Sequence, residues 1–176
     1  FQGDHRIALH RVCLTSEDRP TVFLWALEEH ENAAAVAMLK RFPKLLTKKM
    51  VYGTPLVVAC RSGNSRGVEF LLAAGASPNC RSPGAAAFPC LSLAAWRCDA
   101  KAVCALLEAG ADPNLADRSV GSTALQFAVQ SGDVSKVNLL IRHGADVNHQ
   151  DHMGDTLLHV AAALASEAVI TRLLSA

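Results

Sequence analysis

Residues 139–162 read LLIRHGADVNHQDHMGDTLLHVAA, and worn forms of the same phrase occur three times upstream. The other copies are LLEAGADPNLADRSVGSTALQFAV (106–129), LLAAGASPNCRSPGAAAFPCLSLAA (71–95) and LLTKKMVYGTPLVVAC (45–60). Within them the Gly-Ala pair recurs 35 and then 34 residues apart, at Gly75, Gly110 and Gly144. A fixed period of this length predicts an array of stacked structural repeats.

Each copy contains local signals for two short helices. Thr54 and Pro55 suit a helix start, where a hydroxyl can cap free amides and proline occupies the first turn. An apolar helix is expected over 56–62, and Gly63 favours the left-handed conformation that ends a helix. A second helix is expected over 65–74. Because helices this short are unstable alone, they must bury their faces against neighbouring copies, as in a solenoid.

The segments GTPLVVAC (53–60), GSTALQFAV (121–129) and GDTLLHVAA (154–162), with LLAAGASPN (71–79) and LLIRHGADVN (139–148), resemble the ankyrin repeat. The resemblance implies an all-α solenoid of about five helix-turn-helix repeats with β-hairpin-like loops. The expected repeats are 21–53, 54–87, 88–120, 121–153 and a truncated 154–176. Residues 4–20 are expected to form an N-terminal capping helix with a break at 18–20, and residues 1–3 resemble a tag remnant.

Several positions depart from the repeat pattern. The loop CRSPGAAAF (80–88) is two residues too long, and Cys98 replaces a glycine between the helices of its copy. His30 and Phe42 stand where the first copy should have glycines, as is usual for an atypical terminal unit. The last copy stops at Ala176 before its outward turn, so we expect the natural protein to continue.

Composition excludes several classes of protein. The chain is 51% hydrophobic but only 5% aromatic, and its net charge of +1 favours neither nucleic acid nor an anionic membrane. Residues 1–66 carry ten Lys and Arg against six Asp and Glu, with the surplus centred on 40–49. A solvated helix end is favoured there over a phosphate-binding patch, because no aromatic residues interleave for stacking. No apolar run approaches the ~18 residues that membrane insertion requires.

The six cysteines are widely spaced and form no CxxC pair, which argues against a zinc framework. We expect reduced thiols and a cytoplasmic or nuclear location.

Candidate catalytic groups each have a structural alternative. His159 stands in the histidine position of the repeat, where hydrogen bonding is its expected role. A cluster in one turn (His149, Asp151, His152 and Asp155) could clasp a metal, but an exposed tip offers little support to the ligands. Cys60 and Cys104 lie among apolar residues without an activating His and acid. With no catalytic motif in the chain, we expect no enzyme activity, no cofactor and no metal.

The resemblance implies partner binding on the concave face, at residues that repeat packing does not dictate. The two positions before the inter-helix glycine in each copy are Glu28, Glu29, Arg61, Ser62, Trp96, Arg97, Gln130, Ser131, Ala163 and Leu164. The hairpin side adds Tyr52, Phe88, Arg118, Ser122, His152, Met153 and Asp155. Trp96 beside Arg97 is the leading anchor, since both types are enriched in binding hot spots. The alternative is that Trp96 merely covers loop 80–88.

These residues predict a non-catalytic adaptor or scaffold that binds a protein or peptide. The expected partner has an acidic centre that matches Arg61 and Arg97, and apolar flanks. The alternative is the substrate-recognition or inhibitory domain of a larger regulator, such as a ubiquitin-ligase receptor or a transcription-factor regulator. Nucleic-acid binding through 40–49 is disfavoured, and a monomer is favoured although self-association stays open. Asn114 and Asn148 resemble hairpin asparagines that a hydroxylase modifies in this family, but their role in the turn suffices to explain them.

Overall fold

The computed structural model describes residues 18–49, 52–164 and 167–176. These residues form ten α-helices and one 3-10 helix at Pro43–Thr47. The α-helices are α1 Asp18–Glu28, α2 Asn32–Arg41, α3 Pro55–Ser62, α4 Ser65–Ala73, α5 Cys90–Arg97, α6 Ala100–Glu108, α7 Ala124–Gln130, α8 Val134–Arg142, α9 Leu157–Ala163 and α10 Glu167–Leu174. None of these helices has the length and apolarity needed to span a bilayer.

The helices stack in two rows. The inner row is α1, α3, α5, α7 and α9, and the outer row is α2, α4, α6, α8 and α10; each helix packs on its partner and on its neighbours along the row. One continuous apolar core lies between the rows, and its largest fully buried side chains include Leu56, Leu91, Leu125, Leu71, Leu106 and Leu140. The predicted all-α repeat solenoid is therefore confirmed.

The helix between Pro55 and Ser62 illustrates how local signals set the bounds. Pro55 occupies its first turn, and Gly63 ends it with φ 75° in the left-handed region. Asn64 then caps α4 by accepting a hydrogen bond from the Gly67 amide at 2.8 Å. The side-chain amide nitrogen of the buried Asn64 also donates to the Leu27 carbonyl at 2.9 Å. The residue that caps α4 therefore also links it to α1 of the previous copy.

Of the three threonines that precede inner helices α3, α7 and α9, only one caps its helix with its side chain. The Thr156 hydroxyl and the His159 side chain make a reciprocal capping box at the start of α9. Thr54 and Thr123 make no side-chain cap, and their buried hydroxyl oxygens have no hydrogen-bond partner among the described residues. The prediction that Thr54 caps free amides is wrong, and its extended backbone, rather than its hydroxyl, opens the helix.

Outward loops connect each outer helix to the next inner helix and lie side by side. Isolated antiparallel bridges join Arg81 to Pro89 and Gln150 to Thr156. Among the described residues, no strand extends beyond these single bridges. The amide of Arg118 donates to Ala86 at 2.7 Å, and that of His152 donates to Val120 at 2.8 Å. These bonds join consecutive loops into a continuous edge.

The first copy differs from its prediction. Helix α1 begins at Asp18, so no break separates residues 18–20 from the first copy. Pro20 lies in the first turn of α1, where the missing amide hydrogen costs no helical hydrogen bond. His30 takes φ 61°, the conformation of the glycine that it replaces. The expected capping helix over 4–17 and the tag remnant at 1–3 lie outside the described residues.

The prediction that all cysteines are reduced thiols is wrong for Cys80 and Cys90, which form a disulfide. Their Cα atoms lie 5.7 Å apart although the two residues are ten positions apart in the sequence. The long loop folds back between them, and the Cys90 amide donates to the Cys80 carbonyl at 2.9 Å. Of the other cysteines in the described residues, Cys60, Cys98 and Cys104 are free.

Candidate partner-binding site

A cavity of about 300 Å³ opens where the hairpin loops meet the ends of α3 and α5. Five of the residues predicted to contact a partner line it, namely Tyr52, Arg61, Phe88, Trp96 and Arg97. We call these five the aromatic–arginine patch. Val57 and Leu93 supply apolar wall from α3 and α5, and Ser82 and Pro83 supply wall from the long loop.

Three aromatic rings hold the apolar side of the patch together. Trp96 stacks on Phe127 of α7, with ring centroids 6.1 Å apart and an interplanar angle of 29°. Phe88 meets the same Phe127 ring edge-on at 6.0 Å. Trp96 nevertheless stays 51% exposed. A large ring that is anchored on one side and open on the other is the usual form of a binding hot spot.

The two guanidinium groups of the patch have different surroundings. Arg61 donates to the Glu28 carboxylate at 2.9 Å and lies 4.9 Å from the centroid of the Tyr52 ring. Arg97 lies 4.4 Å from the centroid of the Trp96 ring and, among the described residues, pairs with no carboxylate. Both groups therefore stack on aromatic rings, but only Arg97 leaves its donors free for an anionic group.

The long loop 80–88 forms one wall of the cavity and is held at several points. The Ser82 hydroxyl accepts from the Phe88 amide at 2.9 Å, and the Ser82 amide donates to the Phe88 carbonyl at 2.8 Å. Arg81 donates to the carbonyls of Ala87 and Ala116 at 2.9 and 2.8 Å, which ties the loop to the next one. Ala87 takes φ 43°, an uncommon conformation for a residue with a Cβ. The disulfide closes the base of this wall.

Sequence reasoning missed six features of the site, and two of them, Val57 and Leu93, lie in the apolar inner helices. Phe127 occupies a position inside the apolar phrase of its copy, so it reads as core. Ser82 and Pro83 lie in the irregular loop, whose path the repeat pattern does not specify. The pairing of Glu28 with Arg61 left a usable signal, because the two residues hold the same repeat position 33 residues apart.

The remaining predicted contact residues lie outside the cavity. On the inner helix ends and the turns after them, Glu29, Gln130, Ser131, Ala163 and Leu164 are exposed and Ser62 is half-buried, and on the hairpin edge Arg118, His152, Met153 and Asp155 are exposed. Ser122 contradicts its prediction. It is only 4% exposed, because its amide donates to the Asp117 carboxylate at 2.8 Å and draws the residue inward. Ser122 cannot offer its side chain to a partner in this conformation.

The loop asparagines differ in their use. The Asn114 side chain donates to the Gly144 carbonyl at 3.0 Å and accepts from the Asp146 amide at 2.8 Å. Asn148 is exposed, and its side chain makes no hydrogen bond within the described parts of the chain. Hydroxylation of either residue stays a prediction.

The histidines of the last hairpin bond to backbone rather than to each other. His149 Nε2 lies 2.7 Å from the Gly121 carbonyl oxygen, and His152 Nδ1 lies 3.2 Å from that of Ser119. The Asp151 carboxylate accepts from the amides of Met153 and Asp155. In the residues described, no three His, Cys, Asp or Glu side chains gather as metal ligands.

The buried thiols are poor nucleophiles. Burial and the neighbouring Cys98 raise the pKa of Cys60 well above its ordinary value. Burial, with the nearby Asp99 carboxylate, raises the pKa of Cys98 to about 11. Because the thiolate is the reactive form, both groups stay protonated near neutral pH and act as packing residues.

Comparison with known families gives two matches. A family model described as "Ankyrin repeats (3 copies)" matches residues 91–176, and one described as "Ankyrin repeat" matches residues 53–83. Together they leave unmatched only residues 1–52 and residues 84–90, the latter in and just after the long loop. The second match ends at 83, inside the long loop that departs from the pattern.

Curated relatives share these repeats with the chain. The mouse B-cell lymphoma 3 protein homolog is 42% identical over 62 residues, which is 35% of this chain and 14% of that protein. The Arabidopsis thaliana E3 ubiquitin-protein ligase KEG is 39% identical over 98 residues, 54% of this chain and 6% of the ligase. The mouse 2-5A-dependent ribonuclease is 46% identical over 56 residues, 32% of this chain and 8% of the ribonuclease. The chain thus spans only a small part of each relative.

Proposed function

The chain belongs to the ankyrin repeat family, and we propose that it is a non-catalytic interaction module that binds a partner polypeptide at the aromatic–arginine patch. The observation that carries the proposal is the half-exposed Trp96 ring, stacked on Phe127 beside a cavity that it lines together with two guanidinium groups. Repeat domains of this kind are generally interaction modules. An exposed aromatic that is already anchored loses little conformational entropy when a partner covers it.

The proposed partner is a segment with an acidic centre and apolar flanks. Arg61 and Arg97 bring positive charge to the lining of the cavity, while Val57, Leu93 and Phe88 make part of that lining apolar. A partner of opposite charge would associate faster and in a defined register. Reversing both arginines to Glu should therefore abolish binding, and unchanged binding would remove this part of the proposal.

The Trp96→Ala variant tests the location of the site. Quantitative affinity purification should recover a set of partners with the wild-type chain and lose it with Trp96→Ala, since truncating a hot spot weakens binding ~30-fold, or ~2 kcal/mol. Leu174→Ala is the matched control, because Leu174 is an apolar side chain on α10 that is 70% exposed. Partners that survive Trp96→Ala but not Leu174→Ala would place the site elsewhere.

A second candidate is the substrate-recognition or inhibitory domain of a larger regulator. The likeness to an E3 ubiquitin-protein ligase over 98 residues supports it, because the chain corresponds to only 6% of that protein. The test uses the natural full-length protein: ubiquitin transfer to a patch-bound partner should be lost with Trp96→Ala. Absence of ubiquitin transfer by the full-length protein would leave the simple adaptor, and transfer that is insensitive to Trp96→Ala would place substrate recognition outside the patch.

The cellular location also stays a proposal. Reduced cysteines predict a cytoplasmic or nuclear location, and the Cys80–Cys90 disulfide removes that ground for two of the six cysteines. Fractionation of cells that express the full-length protein would test it.

A further inference from the structure

Glu28 makes the two guanidinium groups of the aromatic–arginine patch unequal. Its carboxylate accepts a hydrogen bond from Arg61 at 2.9 Å, and the Tyr52 ring centroid lies 4.9 Å from the same guanidinium. A carboxylate arriving at Arg61 would have to displace Glu28 or lie beside a like charge. Exposed ion pairs are weak, so this competition lowers affinity without closing the position.

Arg97 meets no such competitor. Its guanidinium lies 4.4 Å from the Trp96 ring centroid, and no carboxylate in the described residues pairs with it. The ring fixes the cation on one face and leaves its edge donors free, which is the arrangement that accepts a carboxylate through two hydrogen bonds. Arg97 also lines the cavity, together with Phe88 and Leu93.

We infer that the partner is an extended acidic peptide whose Asp or Glu carboxylate pairs with Arg97, not Arg61, and whose adjacent apolar side chain enters the cavity. Glu28 sets this register by occupying Arg61. The inference rests on the proposed function and specifies its ligand. A carboxylate fits better than a phosphate, because one free guanidinium balances a single charge whereas a phosphate dianion would require the second guanidinium that Glu28 already holds.

The test begins with a random library of decapeptides, acetylated at one end and amidated at the other so that only side chains carry charge. Phosphoserine is included among the residues. Peptides that bind the wild-type chain should be enriched in Asp or Glu next to an aromatic or branched aliphatic residue. Selection of phosphoserine over Asp and Glu, or selection of no acidic position, would overturn the inference.

Single variants then separate the two arginines. For selected peptides titrated by fluorescence anisotropy, Arg97→Gln should raise Kd about tenfold, as expected for the loss of a charge-assisted hydrogen bond. Arg61→Gln should raise Kd less than about threefold, and Glu28→Gln should lower it up to about threefold. Equal losses for the two arginines, or weaker binding with Glu28→Gln, would contradict the register.

A matched control is Arg66→Gln, which removes an exposed arginine from the outer helix α4 and should leave Kd unchanged. Circular dichroism of each variant checks that the fold is intact. If Trp96→Ala raises the Kd of the selected peptides but Arg97→Gln does not, this inference is wrong and the proposed function still holds. If Trp96→Ala leaves the Kd unchanged, both this inference and the proposed function are wrong.

Discussion

Asn114 ties two copies together through one side chain, and Asn148 offers a matched residue without such bonds. The side-chain amide of Asn114 donates to the Gly144 carbonyl and accepts from the Asp146 backbone amide, both in the next copy. The Asn148 side chain is exposed. We expect Asn114→Ala to lower the free energy of unfolding by about 1–3 kcal/mol, because two backbone groups lose their partner. Asn148→Ala should change it by less than ~0.5 kcal/mol. Urea unfolding of both variants makes the comparison, and equal losses would contradict it.

Asp117 is the residue from which we expect a dependence of stability on pH. Burial raises the pKa of its carboxyl, but hydrogen bonds from Ser119, Val120 and Ser122 outweigh burial, so the net pKa lies below the ordinary value. A depressed carboxyl pKa stabilises the fold above the unfolded pKa of about 3.9, and this contribution is lost as pH falls through the folded pKa.

The variant Asp117→Asn should therefore be less stable than wild type by about 1–3 kcal/mol between pH 5 and 7, because an amide nitrogen would face the Ser122 amide. The difference should shrink as pH falls below the unfolded pKa of about 3.9 towards the lower folded pKa, because the wild-type chain then loses the contribution of its charged carboxylate. Denaturant unfolding at several pH values measures it, with Asp155→Asn as an exposed control. A difference that is constant from pH 3 to pH 7 would show that the carboxylate charge is not the cause.

At the scale of the element, the disulfide decides how firmly loop 80–88 holds its wall of the cavity. Reduction should lower the free energy of unfolding by about 2–3 kcal/mol, since it frees a closed loop of roughly ten residues in the unfolded chain. Amide exchange should rise in 81–88 more than in α5, whose own hydrogen bonds remain. In the Cys80→Ala/Cys90→Ala double variant, the reductant should leave amide exchange unchanged. If the reductant raised exchange equally in the wild type and in this variant, its effect would not come from the Cys80–Cys90 disulfide.

The predictability of an element depended on whether its cause is local. Thr54, Pro55 and Gly63 lie beside the helix that they delimit, so the predicted helix over 56–62 differs from the observed one by a single residue. The disulfide, the burial of Ser122 and the approach of Phe127 to Trp96 depend on how loops fold back or on which copy lies alongside. A repeat pattern specifies that copies stack, but not the path of an irregular loop between them.

At the scale of the whole molecule, the cavity exists only because two copies lie flank to flank. Arg61 of α3 belongs to the second copy and Trp96 and Arg97 of α5 to the third, while Tyr52 lies at the end of the first. Even the Glu28 that occupies Arg61 comes from the copy before. Neither inner helix could form such a site alone, so the integrity of the stack around α3 and α5 is a condition for the proposed function.

The stack itself predicts that damage stays near the copy where it occurs, because each copy contacts only its neighbours. Leu106 of α6 and Leu173 of α10 are both buried leucines on outer helices, 0% and 7% exposed. Leu106→Ala should cost about 2–5 kcal/mol and raise amide exchange throughout α5 and α7, which carry Trp96 and Phe127. Leu173→Ala should raise exchange in α9 and α10 while α3 and α5 stay protected. Hydrogen exchange followed by mass spectrometry resolves these segments, and a Leu173→Ala chain that loses protection everywhere would mean that the molecule unfolds as one cooperative unit.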